Sequence, residues 1–147
     1  RSPLQIALGE MAEPVHNALA EGTVCLVGTA SSSGEPDIAF KGSVMVFDQD
    51  HLAYWERSKG QSLQNLQDNP QACVLYRSRE RGVAWRFYGA AEIHADGALR
   101  QQIMDRTVQA ELDRDPERGG VAVLIRVDRI VAGRNVIQSR EEVASAG

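Results

Sequence analysis

The order of hydrophobic periodicities constrains this 147-residue chain more than any single motif does. Short apolar runs come as neighbours joined by turn residues, and single helical segments interrupt them. T-V-C-L-V-G-T-A (23–30) leads through the turn S-S-S-G-E-P into D-I-A-F-K-G-S-V-M-V-F (37–47), where Gly42 marks a bulge or a close approach of backbone. D-Q-D (48–50) then turns the chain into H-L-A-Y-W-E (51–56). Q-A-C-V-L-Y-R-S (71–78) and V-A-W-R-F-Y-G-A-A-E-I-H (83–94) are joined by R-E-R-G, and V-A-V-L-I-R-V-D-R-I-V-A (121–132) is the last strand. Successive hairpins do not make the alternation of a parallel sheet. The order predicts a mainly β fold, an antiparallel barrel with peripheral helices.

Three helices fill the gaps. Leu4, Leu8, Met11, Val15 and Leu19 recur at helical spacing and predict a helix over 3–20, kinked or restarted at Pro14 and stopped at Gly22. A helix over 59–68 ends before Asn69-Pro70, as the backbone before proline requires. Asp96 is placed to cap a third, whose Leu99, Ile103, Thr107, Val108 and Leu112 make one face. No repeat or linker divides the chain, so a single domain over 1–147 is expected, with its core at about 10–132 and a polar tail from 133 that wraps a partner or stays disordered.

Composition excludes some functions. A net charge of −4 argues against nucleic acid as the main partner. No apolar run reaches membrane-spanning length and no signal pattern opens the chain, so the cytoplasm is the expected location and no membrane partner is expected. Cys25 and Cys73 lie in apolar runs without C-x-x-C spacing and read as buried thiols, although sequence leaves a disulfide open. His16, His51 and His94 lack metal-ligand spacing, and D-Q-D lacks the later ligands of a calcium loop, so no metal site is expected. Phosphate-loop, dinucleotide and nucleophile-elbow motifs are all missing, and no catalytic residue can be named.

What remains is E-R-S-K-G-Q (56–61). Only Lys41 and Lys59 of the 16 basic residues are lysines, and both fall near the ends or bends of strands. Ser58 and Gln61 have capping-box spacing, which predicts a helix starting at Lys59 with Gly60 next. Such a start presents unpaired backbone N–H groups and, with Lys59, a positive charge to which a phosphate can bind. The same spacing also suits a plain cap with a solvated lysine, and spacing alone does not separate the two.

The segments G-E-P-D-I-A-F-K-G-S (34–43), H-L-A-Y-W-E-R-S-K-G-Q-S-L-Q-N-L-Q-D-N-P (51–70), V-L-Y (74–76) and F-Y-G-A-A-E-I (87–93) together resemble the pyridoxamine 5′-phosphate oxidase-like family. The resemblance implies an FMN-binding split β-barrel, and a homodimer with FMN sites at the interface. It places Phe40, Lys41, Gly42 and Ser43 along the flavin ring and ribityl chain, with Lys41 at the phosphate or at the pyrimidine edge. Tyr54, Trp55 and Glu56 lie beside the cofactor, and Ser58, Lys59 and Gln61 at its phosphate end. Trp85 and Arg86 close the pocket or contact substrate, or else belong to barrel packing. Two departures argue against pyridoxamine-phosphate oxidation itself: Lys59 is followed by Gly60 instead of a second basic residue, and the tail lacks the Trp and Arg that hold the pyridoxal substrate. The implied function is an FMN-dependent oxidoreductase of a small substrate. The alternatives are a flavin- or haem-binding module without turnover and a deazaflavin-dependent reductase.

Overall fold

The computed structural model describes residues 5–140. Eight strands, β1 (Cys25–Ala30), β2 (Pro36–Lys41), β3 (Met45–Val46), β4 (His51–Glu56), β5 (Gln71–Ser78), β6 (Val83–His94), β7 (Val121–Ala132) and β8 (Asn135–Ser139), form one sheet. Its order is β2-β1-β5-β6-β7-β4-β3, with β8 added alongside β7, and every pairing is antiparallel. The sheet curls into a half-barrel, the expected split β-barrel. The helices α1 (Ala12–His16), α2 (Ala18–Glu21), α3 (Gln61–Asp68), α4 (Gly97–Arg106) and α5 (Gln109–Leu112) are short.

The long strands β6 and β7 form the spine. One edge of β7 pairs with β4 over Val121–Arg126 and with β8 over Arg129–Ala132, and the other pairs with β6. A bulge interrupts the β6–β7 ladder, because Tyr88 faces Arg129 while Gly89 faces Val127. A Cβ at Gly89 would run into the Arg126 carbonyl, so only glycine lets the strands meet there. Asp128, the residue left without a rung, accepts from Arg126 Nε at 3.0 Å and lies 3.4 Å from Arg140 Nε.

The main core lies on the inner face, where Tyr54, Tyr76, Phe87 and Ile130 are fully buried. A second cluster gathers Met45, Trp55, Ile103 and Leu112 where α4 packs on β4 and β7. Cys25 is buried and Cys73 half-buried, and both are free, as buried thiols should be. Desolvation pushes the Cys25 thiol up to about 12, which keeps it protonated and unreactive at neutral pH.

Several boundaries differ from expectation, each for a visible reason. Among the described residues, the helix expected over 3–20 has no helical turn before a 3-10 turn at Gly9–Met11. Ahead of it, the Ala7 N–H donates to Gln138 Oε1 and the Leu8 N–H to the Gln49 carbonyl, so the chain there is tied to β8 and a distant turn. Pro14 sits in the first turn of α1, and Asn17 separates α1 from α2, which ends at Gly22 (φ 76°). Residues 3 and 4 of that prediction lie outside the described residues. The 37–47 run divides into β2 and β3 at Gly42. Asp96 precedes α4 without a side-chain capping bond, and the helical face expected through Leu112 breaks at Thr107 and Val108, both extended. The polar tail contributes β8, and residues 141–147 lie outside the described residues.

Gly89→Ala should lower stability by roughly 1–3 kcal/mol, the scale of overpacking against an unyielding backbone. Thermal unfolding measures this, and an unchanged midpoint would mean that the bulge yields.

Candidate functional site

A cleft of about 910 Å³ opens beside the ends of β2 and β4. Its lining includes Phe40–Ser43 and Trp55–Ser58, together with Val24, Leu26 and Leu75. β1 sets this up by alternation: Cys25, Val27 and Thr29 are buried, while Val24 and Leu26 turn to the other face. Across the ladder Leu26 stands opposite both Phe40 and Leu75, which makes a continuous apolar wall.

The centre of the site is a buried carboxylate. Glu56 is 1% exposed, and its Oε1 lies 2.8 Å from Lys41 Nζ. Its Oε2 accepts from Ser58 Oγ at 2.8 Å and from the Lys59 N–H at 3.1 Å. Burial alone would raise the Glu56 pKa. The Lys41 hydrogen bond and charge, with the Ser58 and Lys59 donors, outweigh it and hold the carboxyl below the usual range.

This arrangement overturns the capping prediction. Helix α3 begins at Gln61 and not at Lys59, Gly60 is its N-cap, and no side chain caps it. The Ser58 hydroxyl donates to Glu56 and makes no capping bond to α3. Lys59 adopts φ 51°, a left-handed turn that aims its N–H at the same carboxylate. Its ammonium donates to the Gly119 carbonyl at 2.9 Å and so ties down the loop before β7.

A second ion pair lies beside the first. Glu111 Oε1 accepts from Arg57 Nε at 3.3 Å. A Cβ on Gly42 would sit 2.7 Å from Glu111 Oε2, so glycine at this bend makes room for that carboxylate. Ser43 joins β3 to β4 by accepting the Trp55 N–H (2.9 Å) and donating to the Trp55 carbonyl (3.1 Å). The Trp55 ring is fixed by Nε1–H to Asp115 Oδ2 at 2.8 Å and by the Arg100 guanidinium 4.8 Å above it.

Of the residues singled out from sequence, Phe40, Lys41, Gly42, Ser43, Trp55, Glu56 and Ser58 line the cleft. Tyr54, Lys59, Gln61, Trp85 and Arg86 do not. Tyr54 is in the core, its ring 5.9 Å from Lys41 Nζ, and burial followed by the Glu56 charge pushes its phenol up. Gln61 Nε2 donates to Asn65 Oδ1 at 2.8 Å. Trp85 stacks on Tyr76 at 5.3 Å, and Arg86 donates to Tyr88 Oη and the Gly133 carbonyl. The D-Q-D turn is closed on itself, with His51 Nδ1 2.9 Å from Asp48 and 3.0 Å from Asp50.

Sequence reasoning missed Arg77, Arg79 and Arg114, which also line the cleft and whose side chains form no hydrogen bond or ion pair among the described residues. For Arg77 the signal was available, since strand alternation puts it on the face of Leu75. Arg79 and Arg114 sit in stretches that read only as polar connections.

The cleft suits a flavin in part. Its volume and apolar wall match a planar aromatic ligand. The donors expected at the phosphate, Lys41, Ser58 and the Lys59 N–H, are occupied by Glu56 and do not fit a phosphate in this arrangement.

A family model described as "Pyridoxamine 5'-phosphate oxidase" matches residues 11–130. The chain belongs to that family. Solved structures agree on the fold. HupZ from Group A Streptococcus is similar at 27% identity and TM-score 0.62, over 84% of this chain and 95% of that one. An FMN-binding protein from Syntrophomonas wolfei is similar at 12% identity and TM-score 0.64, over 86% and 88%. An F420 reductase is similar at 18% and TM-score 0.55, over 79% and 95%. No curated protein matches this chain. Among the described residues, no helix of this pyridoxamine 5′-phosphate oxidase family member is long and apolar enough to cross a membrane.

Glu56→Gln should destabilise the fold by roughly 3 kcal/mol, because it strands the buried Lys41 ammonium, while Lys41→Met with Glu56→Gln should recover most of that loss. Denaturant unfolding of the two singles and the double closes the cycle, and additive losses would contradict a coupled pair. Since the folded pKa of Glu56 is depressed from 4.5, its contribution is complete above that pH. It fades as pH falls through the lower folded value, so the wild type should lose stability below about pH 4.5 more steeply than the double variant.

Proposed function

We propose that this chain binds FMN in the cleft, works as a homodimer, and acts as an oxidoreductase on a small substrate. The observation that carries the reading is the junction of the apolar wall, Leu26, Phe40 and Leu75, with a strand end whose polar groups are already fixed. A flat ring would find Leu26, Phe40 and Leu75 along that wall. Bound there, FMN supplies hydride or single-electron chemistry, and the protein's part is to position it and exclude water. Membership of the family supports this reading, as does the likeness in fold to an FMN-binding protein.

The proposal of a homodimer rests on exposed apolar surface. Ile38 is 66% exposed and Phe40 72%, two residues apart on β2, the outer strand of the sheet. Such an edge invites a partner. A second copy set against it would shelter Phe40 and complete the mouth of the cleft.

A binding module without turnover is the second reading, favoured by one observation. Two of the cleft's acidic groups, Glu56 and Glu111, are both held in ion pairs, which leaves neither poised as a general acid or base.

Purified protein should show flavin absorption and release FMN on denaturation, or take FMN up when it is added. Colourless protein that takes up no FMN contradicts the reading. Steady-state reduction by NADH or NADPH with an electron acceptor separates the oxidoreductase from the binding module, and a competition titration against a deazaflavin tests the reductase alternative.

A further inference from the structure

Two buried carboxylates line the cleft, and they are served unequally. Both oxygens of Glu56 are engaged, by Lys41 Nζ, Ser58 Oγ and the Lys59 N–H. Glu111 is 7% exposed, and its Oε1 accepts one bond from Arg57 Nε at 3.3 Å, long for such a contact. Its Oε2 takes no hydrogen bond among the described residues. A carboxylate offers about four acceptor positions, and a buried one left without a donor costs free energy.

The fold holds this oxygen in place from two sides. Leu112 packs with Trp55 and Ile103 in the second core cluster, which anchors α5 and brings the neighbouring Glu111 to the cleft. Opposite stands Gly42, where a Cβ would lie 2.7 Å from Oε2 and 3.3 Å from Leu19 Cδ1. Gly42 is not among the residues with positive φ, so glycine is needed there for room and not for its backbone conformation. The space beside Gly42 is kept for a carboxylate oxygen at the border of the cleft.

Gly42 also relates that oxygen to the apolar wall. It follows Phe40 by two residues, so the two Cα atoms lie within about 7 Å of each other. A planar ring on Leu26, Phe40 and Leu75 therefore brings either its rim or a substituent towards Oε2. On a flavin, the donors available for that contact are the imide N–H of the ring and the hydroxyls of the ribityl chain. The surroundings favour the chain, because Arg57 and the Lys41–Glu56 pair make this part of the cleft polar, whereas the ring belongs on the wall.

We propose that Glu111 selects a ligand with a polyol side chain, its Oε2 accepting a hydroxyl hydrogen beside Gly42. The proposal rests on the flavin reading given above and adds to it the residue that recognises the ribityl chain. Glu111 acts there as an acceptor, and no proton is transferred.

The test compares riboflavin with lumiflavin, which share the ring and its imide N–H and differ in the polyol chain. Quenching of flavin fluorescence is titrated in the full chain for the wild type, Glu111→Ala, Glu111→Asp and Glu80→Ala, with thermal unfolding as the check on folding. Glu111→Asp keeps a charge for Arg57 but draws the carboxylate back from Gly42 by one methylene, and it carries the test if Glu111→Ala unfolds. Glu80 is an exposed acid that also lines the cleft, so its removal controls for charge alone. The wild type should prefer riboflavin by about tenfold or more, the scale of one charge-assisted hydrogen bond. Both Glu111 variants should lose that preference with lumiflavin affinity unchanged, and Glu80→Ala should keep it. A preference that survives in the folded Glu111 variants, or vanishes in Glu80→Ala, overturns the assignment. A fall in lumiflavin affinity equal to that of riboflavin also overturns it, since the contact is then with the ring. A wild type that binds both flavins equally overturns it too and leaves the flavin reading standing. Binding of neither by a folded wild type overturns the flavin reading and this contact together.

Discussion

The arrangement around the cleft depends on one buried charge. Glu56 ends β4 and cannot reach water, so its burial is tolerable only because Lys41, Ser58 and the Lys59 N–H all turn to meet it. That requirement shapes the backbone on both sides. It draws the end of β2 towards the end of β4 and bends Lys59 into a left-handed turn. It also delays the start of α3 to Gln61. The ion pair therefore organises the cleft floor whatever ligand the cleft takes.

A floor that is electrostatically satisfied leaves recognition to other parts of the cleft. The wall built by alternation on β1, β2 and β5 is apolar, and the side chains of Arg77, Arg79 and Arg114 line the cleft without partners among the described residues. The division makes physical sense. Interior charges must be paired to be tolerated, whereas exposed guanidinium groups can wait for a ligand at little cost.

Much of the fold was legible because turn chemistry and strand periodicity are local. The hairpin turns separate the runs cleanly, and β4, β5, β6 and β7 fall within the predicted bounds. What failed involved groups that find partners outside the local pattern. The apolar residues before Met11 have helical spacing, yet Ala7 and Leu8 are claimed by Gln138 and Gln49. Ser58 and Gln61 have capping spacing, but spacing does not show that Glu56 is buried, nor that Lys41 arrives from 15 residues upstream. Arg77 was the exception: its side of the strand could be read from Leu75.

The most direct measurement is a crystal structure of the protein with FMN bound. The account predicts Glu56 still hydrogen-bonded to Ser58 and Lys41, with the flavin ring against Leu26, Phe40 and Leu75. A ring bound away from that wall, or a Glu56 carboxylate parted from Lys41, would contradict it.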